Sequence, residues 1–151
     1  SSDNNQRLAL AIQQQVFHAL GIYLRPHHCE FKVFLDRLRK KDFSLCHSAW
    51  IVQYNDPMNI LERFKERNSP NNDPGWENLR YQKLLEESSF CSSTEERLAK
   101  LNDAEKILMD ELPQVPLYHW NYTYLKKPDL KGVYISPIGS VHLTHAYKEE
   151  M

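Results

Sequence analysis

Apolar positions recur on one helical face from the start of the chain: Leu8, Ile12, Val16 and Ala19. Asp3 with Gln6 three residues later has capping-box spacing, and Gly21 supplies a left-handed stop. A helix is therefore predicted up to Gly21. Ile22 to Cys29 alternates well enough for a strand. Glu30 to Lys41 reads as a second helix, with Phe31, Phe34, Leu35 and Leu38 at i, i+3, i+4 and i+7. Arg37, Arg39, Lys40 and Lys41 gather near its C-terminus, where cations suit the helix dipole. The run Ser44 to Pro57 follows. Leu45, Cys46, Ala49, Trp50, Ile51 and Val52 read as a buried strand, which breaks at Gln53, Tyr54, Asn55 and Asp56. Asp56 can cap and Pro57 is pre-set for a first helical turn. Helix, strand, helix, strand is α/β logic, with the two strands as parallel neighbours. Ligands in open α/β sheets bind at the carboxyl ends of strands. That places a candidate site at Trp50, Gln53, Tyr54, Asn55 and Asp56; a plain strand-to-helix turn with a core Trp is the alternative.

A third helix is predicted from Pro57 to about Arg67, then a turn-rich loop, Asn68 to Gly75, then a helix over Leu79 to Ser88. Ser93 and Glu96 have capping-box spacing for a longer helix to about Leu112, with Leu98, Leu101, Ala104 and Leu108 inward. Pro113 and Pro116 stop it. Leu117 to Leu125 is extended, and Tyr118, Trp120, Tyr122 and Tyr124 share a face that needs cover. A short strand is expected at Val133 to Ile135, a turn at Pro137-Ile138-Gly139, and one more strand in Val141 to Tyr147.

The 151 residues suit about one domain, and 19 basic against 20 acidic side chains give no sign of a nucleic-acid or anionic-membrane partner. No apolar run approaches membrane-spanning length. The polar start, Ser1-Ser2-Asp3-Asn4-Asn5, has neither a basic nor an apolar leader region, which favours a processed form or a piece of a larger protein. Three cysteines, Cys29, Cys46 and Cys91, lack CxxC spacing and argue against a disulfide framework or zinc module, although Cys29 and Cys46 on neighbouring strands could pair.

Catalytic sets do not assemble. Cys46 and His47 would point to opposite faces of a strand. His27-His28-Cys29 offers two ligands on one face with no second pair, and His142 and His145 would share a face only in a helix. Neither a metal nor a cofactor is expected, and no nucleotide-binding or hydrolase motif is present. Aromatic residues Tyr118 to Tyr124 could stack on bases, but the charge balance does not support it. Asn121-Tyr122-Thr123 fits a glycosylation acceptor without a context that would give it meaning.

Trp50-Ile-Val-Gln-Tyr-Asn-Asp-Pro57 resembles the C-terminal part of oligopeptide-binding proteins, the extracytoplasmic solute-binding proteins of the dipeptide, oligopeptide and nickel group of ABC transporters. Gly21-Ile22, Phe34-Leu35, Ala104-Glu-Lys-Ile-Leu108 running into Val115-Pro-Leu-Tyr118, and Leu130-Lys-Gly-Val-Tyr134 match in order. The resemblance implies a non-enzymatic α/β fragment of a two-lobe, periplasmic-binding-protein-like fold that closes over its ligand. Residues 1–116 would belong to the C-terminal lobe, and 117–151 would be tail segments crossing back to the N-terminal lobe. It implies a periplasmic or extracytoplasmic location, a possible lipid anchor upstream, and permease subunits, an oligopeptide and the missing lobe as partners. The peptide would lie extended against strand 44–52, pairing with backbone around Ala49 and Ile51 and walled by Trp50. Gln53 stands where peptide binders carry an acidic residue for the peptide ammonium. Either Asp56 compensates or the ligand differs: a cell-wall peptide, nickel chelate or haem. His47 stands where some members carry an Arg that meets peptide carboxylates, a role Arg37 or Arg39 could take. A small α/β enzyme using His47 or Cys46, or a stand-alone interaction domain, are the readings from other classes.

Overall fold

In the computed structural model, residues 3–119, 121 and 123–149 are described. Helices α1 (Asp3–Leu20) and α2 (Phe31–Arg39) precede α3 (Met58–Leu61), a 3-10 turn (Glu62–Phe64), α4 (Leu79–Ser88) and α5 (Thr94–Glu111). Four two-residue strands follow: β1 (Leu130–Lys131), β2 (Tyr134–Ile135), β3 (Val141–His142) and β4 (Tyr147–Lys148). The chain divides between Ala49 and Trp50 into two compact units.

In the first unit, α1 ends as expected. The Gly21 amide donates to the Phe17 carbonyl at 2.9 Å with φ +67°, a conformation that favours glycine. The Gln13 side chain donates to the Leu24 carbonyl at 2.6 Å and ties down the segment after the helix. The apolar stripe of α1 is nevertheless uncovered: none of its residues is buried, and in α2 only Leu38 is.

The two expected strands do not form. Neither residues 22–29 nor residues 44–52 belong to a ladder among the described residues, so the parallel pair is absent. Extended backbone becomes a strand only when another segment takes its alternating donors and acceptors. The pairings present lie elsewhere and are antiparallel. Leu130 and Lys131 face Lys148 and Tyr147, and Tyr134 and Ile135 face His142 and Val141. Gly132 is required between them, because a Cβ there would stand 1.9 Å from the His145 carbonyl oxygen. The Pro137-Ile138-Gly139 turn closes on Ser136, whose carbonyl accepts from the Gly139 amide at 2.9 Å.

The second unit holds the core: Leu61, Phe64, Tyr81, Leu85, Leu101, Ala104 and Leu108, with Met58, Trp76, Leu84 and Ile107 against it. Ser93 caps α5 by accepting from the Glu96 amide at 3.1 Å, and Leu112 ends it in the left-handed region at φ +46°. Asn78 caps α4 by accepting from the Tyr81 amide at 3.0 Å. Leu98 departs from its expected place: it is 45% exposed and lines a shallow groove with Pro57.

The third helix is shorter than expected, and side chains explain why. Tyr81 donates its hydroxyl to the Leu61 carbonyl at 2.5 Å, and the Gln82 amide donates to the Lys65 carbonyl at 2.7 Å. Carbonyls that a continuing helix would use are taken, and the Lys65 amide tightens onto the Glu62 carbonyl at 3.2 Å instead. After Pro113 the segment to Leu125 runs without regular structure; Tyr118 and Tyr124 are exposed, and Trp120 and Tyr122 of the expected aromatic face lie outside the described residues.

Tyr81→Phe should leave the Leu61 carbonyl short of a partner in the core and lower stability by about 1–3 kcal/mol. Urea denaturation of the protein carrying this chain tests it; no loss would mean that the hydroxyl does not hold α3.

Candidate functional site

Residues 50–57 turn sharply because polar groups close on one another. The Asp56 amide donates to the Tyr54 carbonyl at 3.0 Å, and the Asp56 carboxylate accepts from the Met58 amide at 2.8 Å. That bond satisfies a donor at the start of α3, while Pro57 at φ −56° enters the helical region without one to lose. The same carboxylate receives both terminal nitrogens of Arg97 on α5 at 2.8 Å each. Arg97 is the main cause that holds the Asp56 carboxyl below its ordinary range, and Asp56 raises Arg97 in return. A loop is thereby pinned to a helix 41 residues further along the chain.

The Gln53 amide nitrogen of the backbone donates to the buried Asn59 side chain at 3.2 Å, which fixes the turn into α3 from inside. The Tyr54 hydroxyl donates to Glu62 at 3.0 Å; burial and then this carboxylate push the phenol up. The side chains of Gln53 and Asn55 are exposed.

Trp50 lies over Arg63, whose guanidinium carbon stands 4.0 Å from the ring centroid. Arg63 is 5% exposed. It donates to the Asn71 carbonyl at 3.2 Å and stands 3.7 Å from the Asp73 carboxylate. Burial lowers its pKa, and Asp73 opposes that shift. A desolvated cation over an indole contributes about 2 kcal/mol. Around this stack lies a groove of about 370 Å³, lined by Trp50, Gln53, Asn59, Arg63, Ser69 and Asn71, with Glu62, Lys65 and Glu66 beside them. Its far wall is held by Asn72, which is 1% exposed, donates to the Glu66 and Trp76 carbonyls at 2.9 and 2.8 Å, and accepts from the Trp76 amide at 3.3 Å.

The sequence-derived site residues therefore separate. Trp50 and Gln53 line the groove, Tyr54 and Asp56 brace the loop, and Asn55 is exposed. Ile51 is 68% exposed. Asp56 does not offer an uncommitted carboxylate to compensate for Gln53, because Arg97 and the Met58 amide occupy it. Arg37, His47 and Ala49 belong to the first unit, where Arg37 donates to the Asp42 carbonyl at 3.2 Å and its carboxylate at 3.1 Å. No disulfide joins Cys29, Cys46 and Cys91, and no cluster able to hold a metal occurs among the described residues. Sequence reasoning missed Arg63, Asn59, Asn72 and Arg97. Arg63 carried no signal, because at about 3.6 residues per turn it falls off the stripe of Leu61 and Phe64.

No family model matches the chain. It is 34% identical over 147 residues to the oligopeptide-binding protein OppA of Bacillus subtilis, covering 97% of this chain and 27% of that protein. It is 31% identical to the dipeptide-binding protein DppE of the same species (95% and 26%). The periplasmic murein peptide-binding protein MppA of Escherichia coli is also 31% identical, over 87% of this chain and 24% of that protein. Among solved structures, the pheromone receptor PrgZ superposes with a TM-score of 0.77 at 32% identity, covering 95% of this chain and 28% of that one. MppA in its unliganded open form gives 0.80 at 30% identity, covering 87% and 25%. The chain is homologous to one segment of these peptide-binding proteins. It spans about a quarter of their length. Its helices and few strands are those of a fragment of their α/β fold, which accounts for extended segments that find no ladder within the described residues.

Asp56→Asn should cost about 1–2 kcal/mol, the loss of a paired carboxylate that also caps α3. The pH dependence has a definite sign. A carboxyl depressed on folding stabilises above its ordinary pKa of 3.8, and that contribution disappears as pH falls through the lower folded value. Thermal melts from pH 7 down to pH 2 should show wild type and Asp56→Asn converging as pH falls below 3.8 and through the lower folded value. A gap that persists at low pH would refute this account of the pin.

Proposed function

We propose that this chain supplies one wall of the peptide site of a two-lobe, extracytoplasmic solute-binding protein that delivers oligopeptides to the permease subunits of an ABC importer. The observation that carries this reading is the likeness of 87–97% of the chain to peptide-binding proteins, and the backbone beside Trp50 fits it. Residues 47–52 make no backbone–backbone hydrogen bond among the described residues, although they sit next to a turn braced at several points. An extended peptide can take those donors and acceptors as an added strand, which gives affinity without demanding a particular side chain. Ala49 and Ile51 are the backbone partners in this reading, Trp50 is the wall, and Gln53, Tyr54, Asn55, Asp56, His47 and Arg37 set the surroundings. The peptide names of OppA, DppE and MppA support the ligand class, and binding rather than catalysis as the activity.

Residues 1–116 are read as part of the C-terminal lobe, and 117–151 as segments that cross to the other lobe. The exposed Leu117, Tyr118, Tyr124 and Leu125 are apolar surface of the kind such a crossing would cover. A location outside the cytoplasm, with or without a lipid anchor, goes with this reading.

A cell-wall peptide is the second reading. It is favoured by the resemblance to the murein peptide-binding protein and by neutral Gln53 in the groove.

Native mass spectrometry of the complete protein, purified without refolding, tests the proposal. A ladder of co-purified peptide masses is expected, and Trp50→Ala should weaken peptide binding by about tenfold or more, as loss of an aromatic anchor does. One recurring mass with amino-sugar or D-amino-acid content would select the cell-wall reading. A non-peptide ligand would overturn both.

A further inference from the structure

We propose that Arg63 is a positioning residue for the peptide wall: its guanidinium seats the Trp50 indole and ties it to the loop 68–75. This deepens the peptide-binding reading and rests on it.

Backbone pairing does not fix Trp50. Residues 47–52 make no backbone–backbone hydrogen bond among the described residues, so the segment lacks the ladder that orients side chains in a strand. An indole on such a segment takes its direction from side-chain contacts. The Arg63 guanidinium carbon lies 4.0 Å from the Trp50 ring centroid and 5.3 Å from that of Phe64. Phe64 is 1% exposed and belongs to the core. The guanidinium therefore links the indole to the packed interior.

Arg63 is itself held in place. It is 5% exposed, donates to the Asn71 carbonyl at 3.2 Å and pairs with Asp73 at 3.7 Å. Asn71 and Asp73 flank Asn72, whose amide donates to the Glu66 and Trp76 carbonyls at 2.9 and 2.8 Å and fastens the loop. A planar guanidinium can lie against an aromatic face while its edge keeps hydrogen bonds and an ion pair, a combination that a lysine ammonium cannot reproduce. Burying the cation is costly, and the carboxylate, the carbonyl and the indole together offset that cost. Trp50 meanwhile remains 36% exposed, so the seated indole keeps surface for a ligand. A wall seated before the ligand arrives loses less side-chain freedom on binding than one the ligand must order.

A double-mutant cycle on affinity tests the proposal. Short alanine peptides, each with one leucine placed at every position in turn, are titrated calorimetrically into the complete protein carrying this chain. The tightest binder is then measured with wild type, Arg63→Met, Trp50→Ala and the double variant, each shown to be folded by its thermal transition. Arg63→Met should weaken binding by about three- to tenfold in the wild-type background, the range that ordering one side chain represents. In the Trp50→Ala background the same substitution should change affinity by less than about twofold, because the indole it seats is gone. Arg63→Lys replaces Arg63→Met with the same expectation if the latter does not fold, since a flexible ammonium offers no plane for the ring.

A merely structural Arg63 would weaken binding equally with and without Trp50, and that result would overturn the proposal. So would an Arg63 variant that binds the peptide as wild type does. In both cases peptide binding itself would stand. If no peptide in the series binds wild type, the peptide-binding reading fails and this proposal fails with it.

Discussion

The Asp56 carboxylate is the point on which the second unit's geometry turns. It accepts from the first amide of α3 and from both terminal nitrogens of Arg97, so one side chain joins a turn, a helix start and the first turns of α5. None of these partners alone would hold a surface loop. A lone exposed ion pair contributes little, because two long side chains lose freedom and water screens the charges. Here the carboxylate belongs to a short residue already fixed by its own backbone turn, and the arginine makes a two-point contact from a rigid helix. Less freedom is lost for each bond made, so the pair can set the loop's course.

From that course follow the neighbouring contacts. Gln53 and Asn59 come within hydrogen-bond distance because the chain reverses between them, and Arg63 follows Asn59 by one helical turn and reaches beneath Trp50. The core imposes a second requirement. Tyr81 takes the Leu61 carbonyl, the helix tightens, and Phe64 turns inward beside Leu85 and Leu101. A polar groove and an apolar core thus share one short element, and its irregularity serves both.

Helices were legible in the sequence where caps and apolar spacing agreed. Gly21 and Ser93 mark ends that the structure keeps, and Leu101, Ala104 and Leu108 form the inward stripe of α5. Leu98 misled because spacing identifies a face and cannot tell how far along the helix a neighbour extends. The strands misled for a different reason. Residues 44–52 have strand composition, but a ladder depends on a second segment, and composition says nothing of where that segment lies. Site residues divided along the same line. Trp50 and Gln53 could be named from a local motif, whereas Arg97 meets Asp56 across 41 positions and Arg63 gains its place only when Trp50 folds over it.

The contrast between the two units bears on how such a chain can be stable. The second unit buries a tyrosine, a phenylalanine and four leucines among the described residues, and its buried polar groups are mostly answered by hydrogen bonds. In the first unit α1 buries nothing, and its apolar positions Leu8, Ile12 and Val16 remain half exposed. An amphipathic helix in water draws most of its stability from packing that apolar face. A stripe this regular, over 18 residues, has the form of a surface shaped for cover. Among the described residues the same holds for the backbone of 47–52, which makes no backbone–backbone hydrogen bond, and for the exposed Leu117, Tyr118, Tyr124 and Leu125. Stability in this chain is therefore unevenly placed: α4 and α5 carry a closed core, while the flanking segments present apolar or hydrogen-bonding surface that gains free energy only on contact.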